Sequence, residues 1–194
     1  MDSLELMRSG CWHNGFTNEI YEALIKAEEL CFRYNSLSPK QRDSRHDIMR
    51  GLIGKIEEPF DIHSPFHCDF GTNISIGPNF VGNYNLTILD EAQVTIGSNV
   101  FIGPNVGIYT VIHALDHRQR NEGIMRSKPV TIGDNVWIGA GVTILPGVTI
   151  GERAVIGAGS VVTHDIPAGV LAFGNPCKVV RDISDSDTVS DIKE

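Results

Sequence analysis

The chain has 194 residues, 41% of them hydrophobic and 21% charged, enough for one compact domain with a small appendage. Its 24 acidic against 16 basic residues give a net charge of −8. That excludes the overall basic footprint of a nucleic-acid binder, and an anionic ligand would need a local positive patch. No apolar run approaches the length of a membrane span, and the acidic start Met1-Asp2-Ser3-Leu4-Glu5 lacks the build of a signal peptide. Cys11, Cys31, Cys68 and Cys177 are widely spaced with no CxxC pair, so neither a disulfide framework nor a metal site is expected. The reading is a reduced, cytoplasmic protein without membrane or nucleic-acid partners.

In chain order, residues 1–58 read as a helical cap. Ile20, Ala23, Leu24, Ala27, Leu30 and Cys31 share one helical face between Glu19 and Tyr34. Ser38-Pro39 reads as an N-cap followed by a proline at the first helical position, opening a second helix to about Ile53. Phe70, Ile76 and Ile88 then recur in steps of six or twelve, with Gly82 in the remaining slot; Ile96, Ile102 and Ile108 follow after one two-residue slip near Asp90–Gln93. From Ile132 the step of six is strict: Ile138, Ile144, Ile150, Ile156, Val162. Val130, Val136, Val142, Val148, Ala154 and Ser160 stand two residues before each.

Side chains two apart on an extended segment share a face, and Gly, Asn and Asp permit bends between segments. A six-residue repeat of this kind predicts a β-helix, a solenoid whose coils bury their aliphatic columns only by stacking. An ordinary β-sandwich lacks such strict phase. The domain is placed at 59–183.

Residues 111–129 interrupt the repeat. Continuing the step of six would put Ala114, Arg120 and Arg126 in the aliphatic column, and unpaired arginines cannot sit there. The segment must leave the coil, and loops on rigid scaffolds are common sites of function. It carries His113. The tail carries Lys178 and Arg181, three apart, and 184–194 read as a flexible acidic end.

"CDFGTNISIGPNFVGNYNLTILDEAQVTIGSNVFIGPNV", from Cys68 to Val106, together with "GNPCKVVR" near the end, resembles the maltose and galactoside O-acetyltransferase family, including nodulation-type sugar acetyltransferases. The similarity spans about residues 4 to 183. It implies a mainly β fold, a left-handed parallel β-helix, against the right-handed rule for ordinary parallel crossovers. It implies direct acetyl transfer from acetyl-CoA to a sugar hydroxyl, without a covalent enzyme intermediate, and a homotrimer with sites between subunits. His113 matches the catalytic base, a role suited to imidazole, and a backbone N–H near Ala140 would face the developing oxyanion.

On the acceptor side the resemblance points to Asp69, Asn83, Glu91 and Met125. Asn83 also reads as a bend residue, Asp69 as a turn cap, and Glu91 as an exposed acid in the slip. On the cofactor side it points to Trp137, Ala140, Ala158, Thr163, His164, Lys178 and Arg181, the last two toward phosphates. The sequence departs from the family at His164, where lysine is frequent, at Ala140, where serine is frequent, and in Cys11–Asn18, which lacks an acid used for the acceptor. Other readings are an antibiotic or amino-acid acceptor, a γ-type carbonic anhydrase using some of His63, His67, His113, His117 and His164, or a non-catalytic solenoid.

Overall fold

The computed structural model describes residues 1–190, 192 and 193; Asp191 and Glu194 of the expected acidic end lie outside the described residues. Three parallel sheets form the faces of a prism. The first face stacks Lys55–Ile56, Ile74–Ile76, Val94–Ile96, Val130–Ile132 and Thr149–Ile150. The second stacks Phe60–Ile62, Phe80–Gly82, Phe101–Ile102, Trp137–Ile138, Val155–Ile156 and Val170–Phe173. The third stacks Phe66–Cys68, Leu86–Leu89, Gly107–Tyr109, Thr143–Ile144 and Val161–Val162. The chain visits the faces in that order, so each coil is one turn of a parallel β-helix.

The expected columns are the ladder registers. Ile56, Ile76, Ile96, Ile132 and Ile150 stack on the first face. Ile102, Ile138, Ile156 and Ala172 follow Ile62 and Gly82 on the second. Each fully buried Ile or Val side chain contributes about 1.5–3 kcal/mol of transfer free energy, and it does so only because the coils above and below cover it. Bends are built by residues in the left-handed region, among them Asn79, Asn99 and Asn135 with φ 60°, 56° and 58°. Their amides form a ladder along the corner, Asn79 Nδ2 donating to Asn99 at 2.9 Å and Asn99 Nδ2 to Asn135 at 3.2 Å.

Two expectations about phase need correction. Phe70 is not in the column: the third-face ladder runs Cys68, Ile88, Ile108, Ile144, Val162, and Phe70 packs instead with Met7 and Ile20. The slip near Asp90 is also not single. Cys68 to Ile76 and Ile88 to Ile96 are each eight residues where six would serve, so two insertions lie at the same corner, between the third and first faces. The excursion from Ile108 to Ile132 leaves from that corner too.

The cap comprises α1 (Ser3–Arg8), α2 (Asn18–Ser36) and α3 (Arg42–Leu52). Asp2 caps α1 in a reciprocal capping box with Glu5, and Thr17 Oγ1 accepts from Ile20 N at the start of α2. Ser38 does not cap α3. That helix starts at Arg42 after Gln41, because Ser38 and Gln41 close a turn on each other: Gln41 N donates to Ser38 O and Ser38 N to Gln41 Oε1. The cap is pinned to the second face by Arg45, which is buried and whose Nη2 donates to the Tyr34 hydroxyl at 2.8 Å and to Ile62 O at 3.0 Å. At the other end Lys178–Asp182 turns back antiparallel on Val170–Phe173, and a 3-10 turn at Asp185–Asp187 follows.

Candidate active site

The excursion is a hairpin. Val111–His113 pairs antiparallel with Ile124–Ser127, with a short helix, α4 (His117–Asn121), between them, and His13–Asn14 adds a third strand. Arg126 is thereby kept out of the prism and lies under Trp12, Cζ 4.7 Å from the ring centroid. Arg120 donates to the carbonyls of Ala114 and Leu115. Ser127 Oγ donates to Met7 O at 2.8 Å and ties the hairpin to α1.

The register puts Met125 opposite both His113 and His13, and directly opposed residues present their side chains on one face. His113 is exposed and its imidazole has no hydrogen-bond partner among the described residues. His13 is buried, with Nδ1 3.0 Å from Cys11 O. Met125 lines a cleft of about 440 Å³ together with Gly15, Phe16, Phe70 and Glu91. A side chain at Gly15 would collide with Met125, since a Cβ there would stand 2.7 Å from the sulfur.

The cleft floor is built by the paired insertions. Asp90 is fully buried; its carboxylate accepts from Phe70 N at 2.8 Å and Asn73 N at 3.2 Å. Asn73 is held in turn by Arg8 Nε at 2.8 Å. One insertion therefore clamps the other, which orients the residues beside them. Glu91, expected as a possible exposed acid, is buried. Stacked insertions leave it between Asp69 below and Thr110 above, with Thr110 Oγ1 3.3 Å from Glu91 Oε2.

The carboxyls of Asp69 and Glu91 act on one another and both are displaced upward. Burial pushes Asp69 up to about 6, with Glu91 opposing it and Asp90's charge adding to it. Burial, then Asp69's charge, pushes Glu91 up to about 8. Both therefore hold protons in the folded chain at pH values where the unfolded chain has lost them. The stability they contribute is complete below the ordinary carboxylate range and declines as pH rises through about 6 and about 8. Glu91→Gln keeps the shape without the charge. It is expected to raise the melting temperature at pH 8, with the gain shrinking toward pH 5. Thermal melts across that range check this, and a pH-independent difference would contradict the upward-shifted pair.

The remaining sequence-predicted residues are not brought to this cleft. Asn83 follows the second face and Ala140 and Ala158 lie at the same corner, between the second and third faces. Asn83 Oδ1 accepts from Tyr84 N at 2.8 Å, so it is a bend residue there. Ala140 and Ala158 are exposed and stack, Gly159 N donating to Ala140 O at 2.8 Å. Their own N–H groups have no partner among the described residues, so this corner suits the amides of a pantetheine arm. Trp137 is exposed on the second face. Thr163 and His164 lie at the cleft's corner but farther along the solenoid, Thr163 Oγ1 2.8 Å from His164 Nδ1.

Lys178 and Arg181 stand on the returning strand. Arg181 Nη1 and Nη2 donate to both carboxylate oxygens of Asp187, at 2.8 and 2.6 Å. Sequence reasoning also passed over His13, Phe16, Asp90 and Thr110. Of these, Asp90 and Thr110 carry a signal in the doubled insertion.

A six-residue solenoid with its polar chemistry displaced to one hairpin and to its corners defines the hexapeptide-repeat transferase class. The family models described as bacterial transferase hexapeptide (six repeats) and hexapeptide repeat of succinyl-transferase match residues 129–164 and 93–112, and the maltose acetyltransferase hexapeptide capping motif matches residues 6–57. Galactoside O-acetyltransferase of Escherichia coli K12 is 42% identical over 187 residues, covering 96% of this chain and 92% of that one. Nodulation protein L of Rhizobium meliloti is 46% identical over 175 residues, covering 90% and 96%. The crystal structure of a maltose O-acetyltransferase from Clostridium difficile 630 superposes with a TM-score of 0.93 at 42% identity, covering 95% and 99%. The chain belongs to the maltose and galactoside O-acetyltransferase family of hexapeptide-repeat acetyltransferases.

Proposed function

We propose that this acetyltransferase moves an acetyl group from acetyl-CoA to a hydroxyl of a sugar, with His113 as general base. A galactoside acetyltransferase related at 41% identity has been solved with coenzyme A, and the free N–H groups of Ala140 and Ala158 on an open corner fit such a donor. The observation that carries the reading is the register of His113 opposite Met125, which lines the cleft together with Glu91. Asp69 and Glu91 orient the acceptor's hydroxyls, each carboxyl accepting or donating according to its proton. His113 accepts the proton of the reacting hydroxyl as its oxygen bonds to the acetyl carbon; the carbon–sulfur bond then breaks, and the imidazolium returns the proton to the leaving thiolate, which departs as the thiol of coenzyme A. Acetyl-CoA supplies the activated acetyl group, Ala140 N–H a donor for its carbonyl oxygen, and Lys178 and Arg181 the cations for its phosphates. A reduced, cytoplasmic setting accords with the four free thiols. Free-thiol release from acetyl-CoA over a panel of sugars, amino acids and antibiotics tests this. Release with an antibiotic or amino acid alone would move the acceptor class.

The working unit in this reading is a homotrimer. The hairpin corner and the Ala140–Ala158 corner are separated by the whole third face, so one chain does not close a site by itself. The outward residues of the second face, Val81, Phe101, Trp137, Val155 and Leu171, form an apolar strip, with Phe101 52% and Trp137 57% exposed. The first face presents Lys55, Ser75, Thr95, Thr131 and Thr149 outward instead. An apolar strip of this kind is normally covered. Light scattering is expected to give three chain masses; a single mass at assay concentration would remove the shared site.

A further inference from the structure

We infer that Cys31 and Cys68 are a modification site, a buried dithiol that a hydroperoxide converts into a disulfide joining the helical cap to the solenoid. The acceptor reading above plays no part in this. Cys31 stands on the face of α2 that also buries Ala27 and Tyr34. Cys68 ends the strand Phe66–Cys68 at the foot of the third-face ladder. Their sulfurs are 3.8 Å apart, and a disulfide needs an approach of roughly 2 Å from there. Contacts that use neither sulfur hold the two in register. Asn35 is four residues after Cys31, on the same helical face, and Phe66 is two before Cys68, on the same strand face. Asn35 Nδ2 donates to Phe66 O and Phe66 N donates to Asn35 Oδ1, both at 2.9 Å.

Both cysteines are buried, yet both line a groove of about 690 Å³ between α2 and the strand. An oxidant the size of hydrogen peroxide fits that approach. The Cys68 thiol, donating to Cys31, holds Cys31 below the ordinary thiol range against the effect of burial; the same contact, and burial, push Cys68 up. Cys31 is therefore the attacking thiolate. Its sulfur takes one peroxide oxygen, the O–O bond breaks, and hydroxide leaves to become water. The Cys68 sulfur then attacks the resulting sulfenic acid. The S–O bond breaks as the S–S bond forms, and the hydroxyl leaves with the Cys68 proton as a second water. Two thiols are oxidised by two electrons and one peroxide is reduced; a dithiol reverses the change by exchange. The bond fastens α2 to the coil that carries Asp69.

The test treats Cys11→Ser protein, which lacks the exposed thiol, with hydrogen peroxide. Intact mass and non-reducing peptide mapping follow, before and after dithiothreitol. Loss of two hydrogens per chain, a linked Cys31–Cys68 peptide and recovery of both thiols are expected. The linked form should melt about 5–15 °C higher. Adding Cys68→Ser should stop Cys31 at the sulfenic acid, trapped by dimedone, and adding Cys31→Ser should leave Cys68 a free thiol. Mapping of the Cys11→Ser protein decides the matter even if these further variants do not fold. Two thiols still free after treatment overturn the proposal. So do Cys31 passing to sulfinic acid unlinked, a link to Cys177 or between chains, and a linked form that melts no higher.

Discussion

His113→Ala is expected to lower acetyl transfer about 10²–10⁴-fold, the usual contribution of a positioned general base, while binding of acetyl-CoA persists. The imidazole is exposed and has no hydrogen-bond partner among the described residues, so its loss leaves no buried polar group unsatisfied. The hairpin's position comes from backbone pairing with Met125 and from Ser127 Oγ on Met7 O, neither of which uses the ring. The residues that fit the donor, Ala140 and Ala158, lie at another corner. Thiol release and calorimetric titration of acetyl-CoA on the same preparation therefore separate the roles. A fall in kcat with donor affinity kept is the expected pair of results. Wild-type turnover would make His113 a solvated loop residue, and loss of donor binding would place it on the donor.

The solenoid could be read from the sequence because its physics is local and repeated. A β-branched column with bends every six residues has few other ways to bury itself, and the arginines at 120 and 126 announced that the hairpin must leave the prism. The phase failed where apolar character was ambiguous. Phe70 stands six before Ile76 and is as apolar as a column residue, but an inserted pair of residues shifts it out of the prism onto Met7 and Ile20. Period counting cannot separate one insertion from two when an apolar residue falls in the false slot.

The burial of Glu91 was hidden for a related reason. A lone acid beside a register slip reads as exposed. Only stacking one insertion on its twin, twenty residues earlier along Cys68 and Ile88, encloses the acid against Asp69. The placing of Glu91 and Met125 on one cleft, with Asp69 beside Glu91, thus depends on coil-to-coil register. Their division from Asn83, Ala140 and Ala158 follows from which corner each occupies. Neither is visible in composition or in any single motif.

Arg181→Ala is expected to weaken acetyl-CoA about 10- to 150-fold, raising its KM while leaving that of the sugar nearly unchanged. The structure adds a competitor to this expectation. Asp187 takes both Nη nitrogens of the guanidinium, and Arg181's hydrogen bonds, with help from Ser184 N, hold its carboxyl down to about 2. The competitor is therefore ionised at every working pH, and a phosphate must displace it. Displacement is feasible because the pair is exposed, where ion pairs contribute little and are screened by salt. A phosphate offers the same fork more charge and further acceptors, with Lys178 on the same strand. Asp187 also keeps the Ser184 N–H after release, at 3.0 Å, so it is not left bare. It follows that Asp187→Asn should tighten acetyl-CoA, in the opposite direction to Arg181→Ala, and that the double variant should resemble Arg181→Ala alone. Titrating acetyl-CoA and dephospho-coenzyme A into all three identifies the phosphate: a loss confined to acetyl-CoA marks the 3′-phosphate, and an equal loss for both marks the pyrophosphate. If neither cofactor is affected by Arg181→Ala, the arginine serves only to hold Asp187 and the tail.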